Sequence, residues 1–213
     1  MSLDGYEVHP ISYRDATEMM VKFHYLHRRG PASESFGLFN EMGALVGAIT
    51  YGVPASPSLC RGLAGPEEVQ HVIELTRLWI ADVTPKNAES FLIGRSLKML
   101  SPEKHIVVSF AEIGAGHVGT VYQATNWLYT GLSDRHVEWR LDGEKSSKHT
   151  RHLFDEYGGI EGAKSALGDR LVRSERPRKH RYVFLRGGRA RKRELLEKLR
   201  YEIQPYPNVA NSV

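Results

Sequence analysis

This chain of 213 residues has a single cysteine, Cys60, so no internal disulfide can staple it, which fits a reducing compartment. No apolar run approaches the roughly 20 residues needed to cross a bilayer. The opening MSLDGYEVHP has no basic stretch leading into an apolar one, so no secretory signal is expected. Repeats and inter-domain linkers are also missing, and one domain over residues 1–213 is expected, with 170–213 as a basic C-terminal segment. Together these absences indicate a cytoplasmic protein with no membrane partner and a core large enough to fold without metal or disulfide support. Metal-ligand clusters are sparse too. His24 and His27 are three apart with no third ligand nearby, so no metal site is assigned, although the pair keeps a metal open.

Charge is unevenly spread. Residues 170–200 hold thirteen Lys or Arg against three Glu, a local +10, which leaves −6 on the rest and +4 overall. A basic segment on an acidic body is the footprint of a polyanion binder. Arg178, Lys179, Arg181, Tyr182, Arg189, Arg191, Lys192 and Arg193 are the candidate nucleic-acid contacts. The competing reading is a solvated basic helix.

Periodicity outlines the elements. Tyr13 to Leu26 reads as a helix with Met19, Phe23 and Leu26 facing the core, stopped by Gly30-Pro31. Phe36–Phe39 and Ala44–Tyr51 form a hairpin turning at Gly43. Residues 53–66 read as a loop rich in Pro, Gly and Ser. Val72 to Ala81 is a strand whose alternation puts Glu74 with Leu78 and Ile80, and Arg77 on the other face with Leu75. Buried acids and bases cost free energy unless paired or used. Thr84-Pro85 opens the next helix, with Thr84 as its cap and Phe91, Leu92, Leu97 and Leu100 inward. Strand 137–141, helix 147–157, a short helix at 160–168, strand 182–185 and basic helix 189–201 complete the chain. The expected fold is a mixed α/β sheet with helices on both faces and a basic C-terminal helix.

The stretch from His105 to Gly131 reads as strand 106–111, a turn at Gly114 and Gly116, and a helix that ends at Gly131. On that helix Tyr122, Asn126 and Tyr129 fall at i, i+4 and i+7 and share one face. Two aromatics and an amide on one stripe are unusual filler for a core helix and offer groups that stack and hydrogen-bond. A core helix is the plainer alternative.

The strand–helix–strand–helix at 72–131 resembles the centre of the GNAT acyltransferase fold. The blocks FHYLHRRGP, AITYGVPASPS, ELTRLWI, VGTVYQATNWLYTG, KHRYVFL and QPYPN resemble the Mom family of bacteriophage DNA-modification proteins. That resemblance implies a GNAT-like enzyme converting adenine in double-stranded phage DNA to a carbamoylmethyl form that blinds host restriction enzymes. It carries Glu74, Arg77, Ser109, Tyr122, Asn126 and Tyr129 over as site residues, with His24, Tyr25, Tyr51, Lys179, Arg181 and Tyr182 as looser matches.

Acylating the weakly nucleophilic adenine amine calls for a base and an anion holder. Glu74 is the base candidate, Ser109 or a tyrosine such as Tyr122 the hydroxyl relay, and Arg77 the anion partner; Asn126, Tyr129, His24, Tyr25 and Tyr51 are assigned to the substrate. Ser109 lacks a nucleophile-elbow motif and is not cast as a covalent nucleophile. The turn Val83-Thr84-Pro85-Lys86-Asn87-Ala88-Glu89 has no glycine, and its proline has no N–H, so it makes a poor phosphate cradle. A glycyl donor such as an aminoacyl-tRNA is therefore favoured over acetyl-CoA. The alternatives are an acetyl-CoA-dependent N-acetyltransferase and a non-catalytic DNA-binding protein on a degenerate fold. Oligomeric state is left unassigned.

Overall fold

The computed structural model describes residues 2–113, 116–143 and 150–208. A seven-stranded sheet forms its centre. The strands are β1 (Glu7–Pro10), β2 (Glu34–Phe39), β3 (Leu45–Gly52), β4 (Val72–Ile80), β5 (Ile106–Glu112), β6 (Leu128–Leu132) and β9 (Lys179–Leu185). They lie in the order β1-β2-β3-β4-β5-β9-β6, and every neighbouring pair is antiparallel except β4–β5. Strands β7 (His136–Leu141) and β8 (Leu171–Arg176) form a separate ribbon between β6 and β9 in sequence.

Helices cover both faces of the large sheet, the mixed α/β arrangement expected. Helices α3 (Ala88–Met99) and α4 (Thr120–Ala124) close one face over Leu38, Ile49, Ile73, Leu92 and Val107. Helices α2 (Pro57–Ala64) and α7 (Arg189–Lys198) close the other over Leu63, Val72, Val108 and Leu195. Each fully buried aliphatic side chain contributes about 1.5–3 kcal/mol relative to exposure. Helix α1 (Tyr13–Phe23) starts at Ser12, whose hydroxyl accepts the Asp15 amide at 3.1 Å. Helices α5 (Thr150–Glu156) and α6 (Ile160–Leu167) pack Leu153 and Ala163 against Trp139, Leu141 and Leu171 of the ribbon.

Several local expectations change. Helix α1 ends at Phe23 and buries Ala16 and Met20; Phe23 lies outside the core, stacked on Trp79 at 4.7 Å. The 53–66 segment contains α2, capped by Ser56 with Pro57 at its start. Helix α3 begins only at Ala88; the Thr84 hydroxyl donates to the Ala81 carbonyl instead of capping it. Strands β1 and β8 had too little alternation to be foreseen. Helix α5 starts at Thr150, and the predicted start at 147–149 lies outside the described residues, as does Gly114.

The largest change is the helix predicted to end at Gly131. Helix α4 is five residues long, and the chain turns at Asn126 (φ +59°) into strand β6. Gly119 starts α4 at φ +76°, where a Cβ would stand 2.4 Å from the Tyr182 ring. Only glycine allows that approach. Aromatic Tyr129 and β-branched Thr130 are residues that a strand packs well, and Tyr129 pairs with Tyr182 of β9.

Candidate functional site

The one parallel pair is short. Strands β4 and β5 are in register only from Val72/Ile106 to Glu74/Val108 and separate beyond that point. A cavity of about 280 Å³ occupies the split, lined by Glu74 and Arg77 of β4, Ser109 of β5, Tyr122 of α4, His24 after α1, and Lys179 of β9.

A bulge decides which β4 side chains reach this cavity. Thr50 pairs with Arg77 but Tyr51 pairs with Leu75, so Thr76 is one residue too many for β3. The extra residue shifts the alternation. Ile73 and Leu75 face the α3 side together with Leu78 and Ile80, because the phase changes between them. Glu74 and Arg77 consequently lie on the same face, across from Gly52 and Thr50. This corrects their placement on opposite faces, and the reason is backbone register rather than side-chain character.

Glu74 makes no hydrogen bond and no ion pair among the described residues. Burial raises its carboxyl pKa above the usual range, and the positive charges of Arg77 and Lys179 offset only part of that effect. Arg77 donates from Nη1 to the Thr76 carbonyl at 2.6 Å, and its buried Nε has no partner among the described residues. Burial lowers the guanidinium's pKa, and nearby Arg28 adds to the effect. Such a cation has unused donor capacity for an anion.

Ser109 Oγ lies 3.0 Å from the Leu75 carbonyl and 2.8 Å from the Tyr122 hydroxyl. Its one proton can serve one of these oxygens at a time, which makes the pair a two-position hydroxyl relay. Burial pushes the Tyr122 phenol up to about 12, so it stays protonated.

His24 is 6% exposed. Burial and the charges of Arg77, His27 and Arg28 lower its pKa to about 4. Its Nδ1 accepts the Leu26 amide at 3.1 Å, so the neutral ring carries its proton on Nε2. Tyr25 stacks on His24 at 4.4 Å, stays exposed, and donates to Glu112 at 3.3 Å. Glu112 also lies 3.8 Å from Lys179 Nζ. Glu112 and His117 line the cavity and were not foreseen; nothing in IVVSFAE or in the glycine-rich turn marked them. Among the described residues no group of three or more His, Cys, Asp and Glu has the placement to hold a metal ion.

Other expected site residues lie elsewhere. Tyr51 is wholly buried, its hydroxyl 2.8 Å from Ser96 on the α3 side, because the unbroken alternation of β3 puts it on the same face as Ile49. Tyr129 packs in the core with its hydroxyl 2.8 Å from His180 Nδ1. Asn126 is an exposed turn residue, and the three-residue stripe does not form because α4 stops before it.

The basic segment is also partly turned inward. Arg178 donates to the Ser133 and Leu132 carbonyls. Arg181, 4% exposed, donates to Thr130 and lies 3.5 Å above the Tyr201 ring. Tyr182 is wholly buried and donates to the Val118 carbonyl. Arg191 and Lys198 pair with buried Glu68. The inward placement of these arginines and of Lys198 has one cause: long cationic side chains satisfy buried carbonyls and one buried carboxylate. Arg189, Lys192 and Arg193 remain exposed on α7.

The turn before α3 holds its own amides. Thr84 N donates to the Ala81 carbonyl and Ala88 N to that of Pro85.

A family model for the Mom protein family matches residues 5–208. The methylcarbamoylase mom of Escherichia phage Mu is 33% identical over 166 residues, covering 76% of this chain and 67% of that protein. Among solved structures, a spermidine N-acetyltransferase chimera from Vibrio cholerae aligns at 9% identity and a TM-score of 0.49, over 91% of this chain and 99% of that one. A ribosomal-protein-S5-alanine acetyltransferase from Vibrio fischeri aligns at 9% identity and 0.47, over 87% and 95%. Such distant likenesses say nothing about substrate or cofactor. The match along nearly the whole length is decisive: the chain belongs to the Mom protein family.

Proposed function

We propose that this chain is a transferase that modifies the exocyclic amine of adenine in phage DNA, leaving a carbamoylmethyl group that protects the DNA from restriction. Membership of the Mom family and a relative named methylcarbamoylase support the reaction class. The observation that carries the site assignment is Glu74: a largely buried, unpartnered carboxylate in a cavity that also holds Arg77, Ser109 and Tyr122.

In this reading the target adenine leaves the stack and enters the split between β4 and β5. Tyr25, exposed on top of His24, offers an aromatic face at the mouth. Glu74 takes the amine proton, a task that suits a carboxylate whose pKa burial has raised. Arg77, with its unused Nε, holds the oxyanion. The Ser109–Tyr122 pair passes a proton to the leaving group.

The donor we infer is a glycyl ester such as glycyl-tRNA. The adenine N6 attacks the ester carbonyl; the N–C bond forms, the ester C–O bond breaks, and the sugar hydroxyl leaves with the proton. The free glycyl amine then attacks ring carbon 6 and displaces the original nitrogen. The product carries a methylene next to a terminal amide, with no oxidant or reductant needed. The occupied amides of Thr84 and Ala88 favour this donor over acetyl-CoA. The test is mass analysis of nucleosides from plasmid DNA of cells expressing the chain. A carbamoylmethyl-adenine nucleoside supports the reading; an acetylated small amine or protein with unmodified adenine opposes it.

A further inference from the structure

The expected DNA handle at 178–193 is largely spent on the fold, so the cations that hold the nucleic acid must be sought elsewhere. A second cavity, about 200 Å³, shares Glu74, Phe110 and Lys179 with the first and opens at the root of the β7–β8 ribbon, between Asp134, His136 and Arg176. The candidate base is thus reached from two mouths.

Unpartnered arginines stand at both. Arg28 and Arg29 follow, one residue on, the His24–Leu26 segment that lines the first mouth, and both are exposed. Arg176 lines the second. On the ribbon, α5 and α6 cover the face with Trp139, Leu141 and Leu171. The opposite face carries His136, Arg140 and Arg176, all exposed, with Glu138 half-buried. None of these four arginines has a hydrogen bond or ion pair among the described residues. Arg28 acts electrostatically on His24, Arg77 and Lys179, and Arg176 on Lys179, so the two groups converge on one site. Of the carboxylates at the mouths and on this ribbon face, Glu112 is paired with Lys179, which leaves Asp134 and Glu138 against the four arginines.

We propose that this rim, with Arg28 and Arg29 on one side and Arg140 and Arg176 on the ribbon, is the surface that docks duplex DNA. Free cations on either side of a cavity hold the phosphates that flank an extruded nucleotide. A two-stranded ribbon also has the width to enter a groove. The inference rests on the proposed reading that DNA is the substrate, and it moves DNA contact away from α7.

The test is fluorescence anisotropy of a labelled duplex across a salt series. One variant is R28A/R140A/R176A and another is K192A/R193A, with circular dichroism to confirm folding. The rim variant is expected to weaken binding roughly tenfold or more and to flatten the salt slope by about 3, near 0.9 per lost phosphate contact. A rim variant that binds within about twofold of the parent, or a larger loss in K192A/R193A, overturns the proposal. This readout needs no chemistry. If adenine stays unmodified while the rim variant loses binding, the proposed reaction fails and the docking surface stands.

Discussion

Replacing Glu74 with glutamine should move activity and stability in opposite directions. The carboxylate is largely buried and has no hydrogen bond or ion pair among the described residues, so the substitution keeps the shape and breaks no bond. Loss of a positioned base lowers the rate by about 10²–10⁴-fold, which corresponds to roughly 2.7–5.4 kcal/mol of barrier. Stability follows the proton. Burial raises the Glu74 pKa in the folded state above its unfolded value of 4.5, so the folded chain holds the proton more tightly. Its charge therefore destabilises the fold at neutral pH and ceases to do so below the unfolded value. Glu74→Gln should melt higher than the parent at pH 7, and the two should converge toward pH 4. The assays are single-turnover modification of duplex DNA and thermal denaturation at several pH values. Retention of near-parental rate, or a lower melting temperature at pH 7, would refute the reasoning.

Three further perturbations bear on other parts of the structure. His24 titrates near 4 when folded and 6.5 when unfolded. The parent should accordingly lose on the order of 2 kcal/mol as pH falls across that interval, and His24→Gln should show a shallower decline in urea titrations. Gly119→Ala puts a Cβ 2.4 Å from the Tyr182 ring at φ +76°; a loss of about 1–3 kcal/mol in denaturant midpoint analysis is expected. Glu68→Ala strands Arg191 and Lys198, both half-buried, and should cost on the order of 2 kcal/mol. Burial works against the Glu68 charge, but the hydrogen bonds from Arg191 and Lys198 outweigh it and lower its pKa. The parent should therefore lose this contribution as pH drops below 4.5, and the variant should not.

The sheet was legible because apolar runs flank the Gly43 turn and VIELTRLWI is rich in β-branched and aromatic residues. Glu74, Arg77, Ser109 and Tyr122, four of the candidates that the sequence offers, line one cavity. Their relation was misread, because the bulge at Thr76 is a property of pairing with β3 that the β4 sequence does not announce. Taken as an unbroken strand, VIELTRLWI puts three apolar side chains on each face, so neither marks the cavity side. The 118–132 stretch failed for a related reason. Gly119 and Asn126 both take positive φ, and aromatic residues near a short helix satisfy helical spacing as readily as strand alternation. Charge counting likewise overstated the basic tail. Composition does not distinguish a solvent-facing arginine from Arg181, whose donors are consumed by Thr130.

The cavity between β4 and β5 is proposed to build a carbamoylmethyl group on adenine from a glycyl donor. Feeding glycine labelled in both carbons and nitrogen to cells expressing the chain, then fragmenting the nucleosides of their DNA, tests it directly. The expected product is a carbamoylmethyl-adenine nucleoside that carries both labelled carbons, with the labelled nitrogen on the ring side of the methylene. Unmodified adenine in the presence of folded protein, or a modified base without the label, would contradict it.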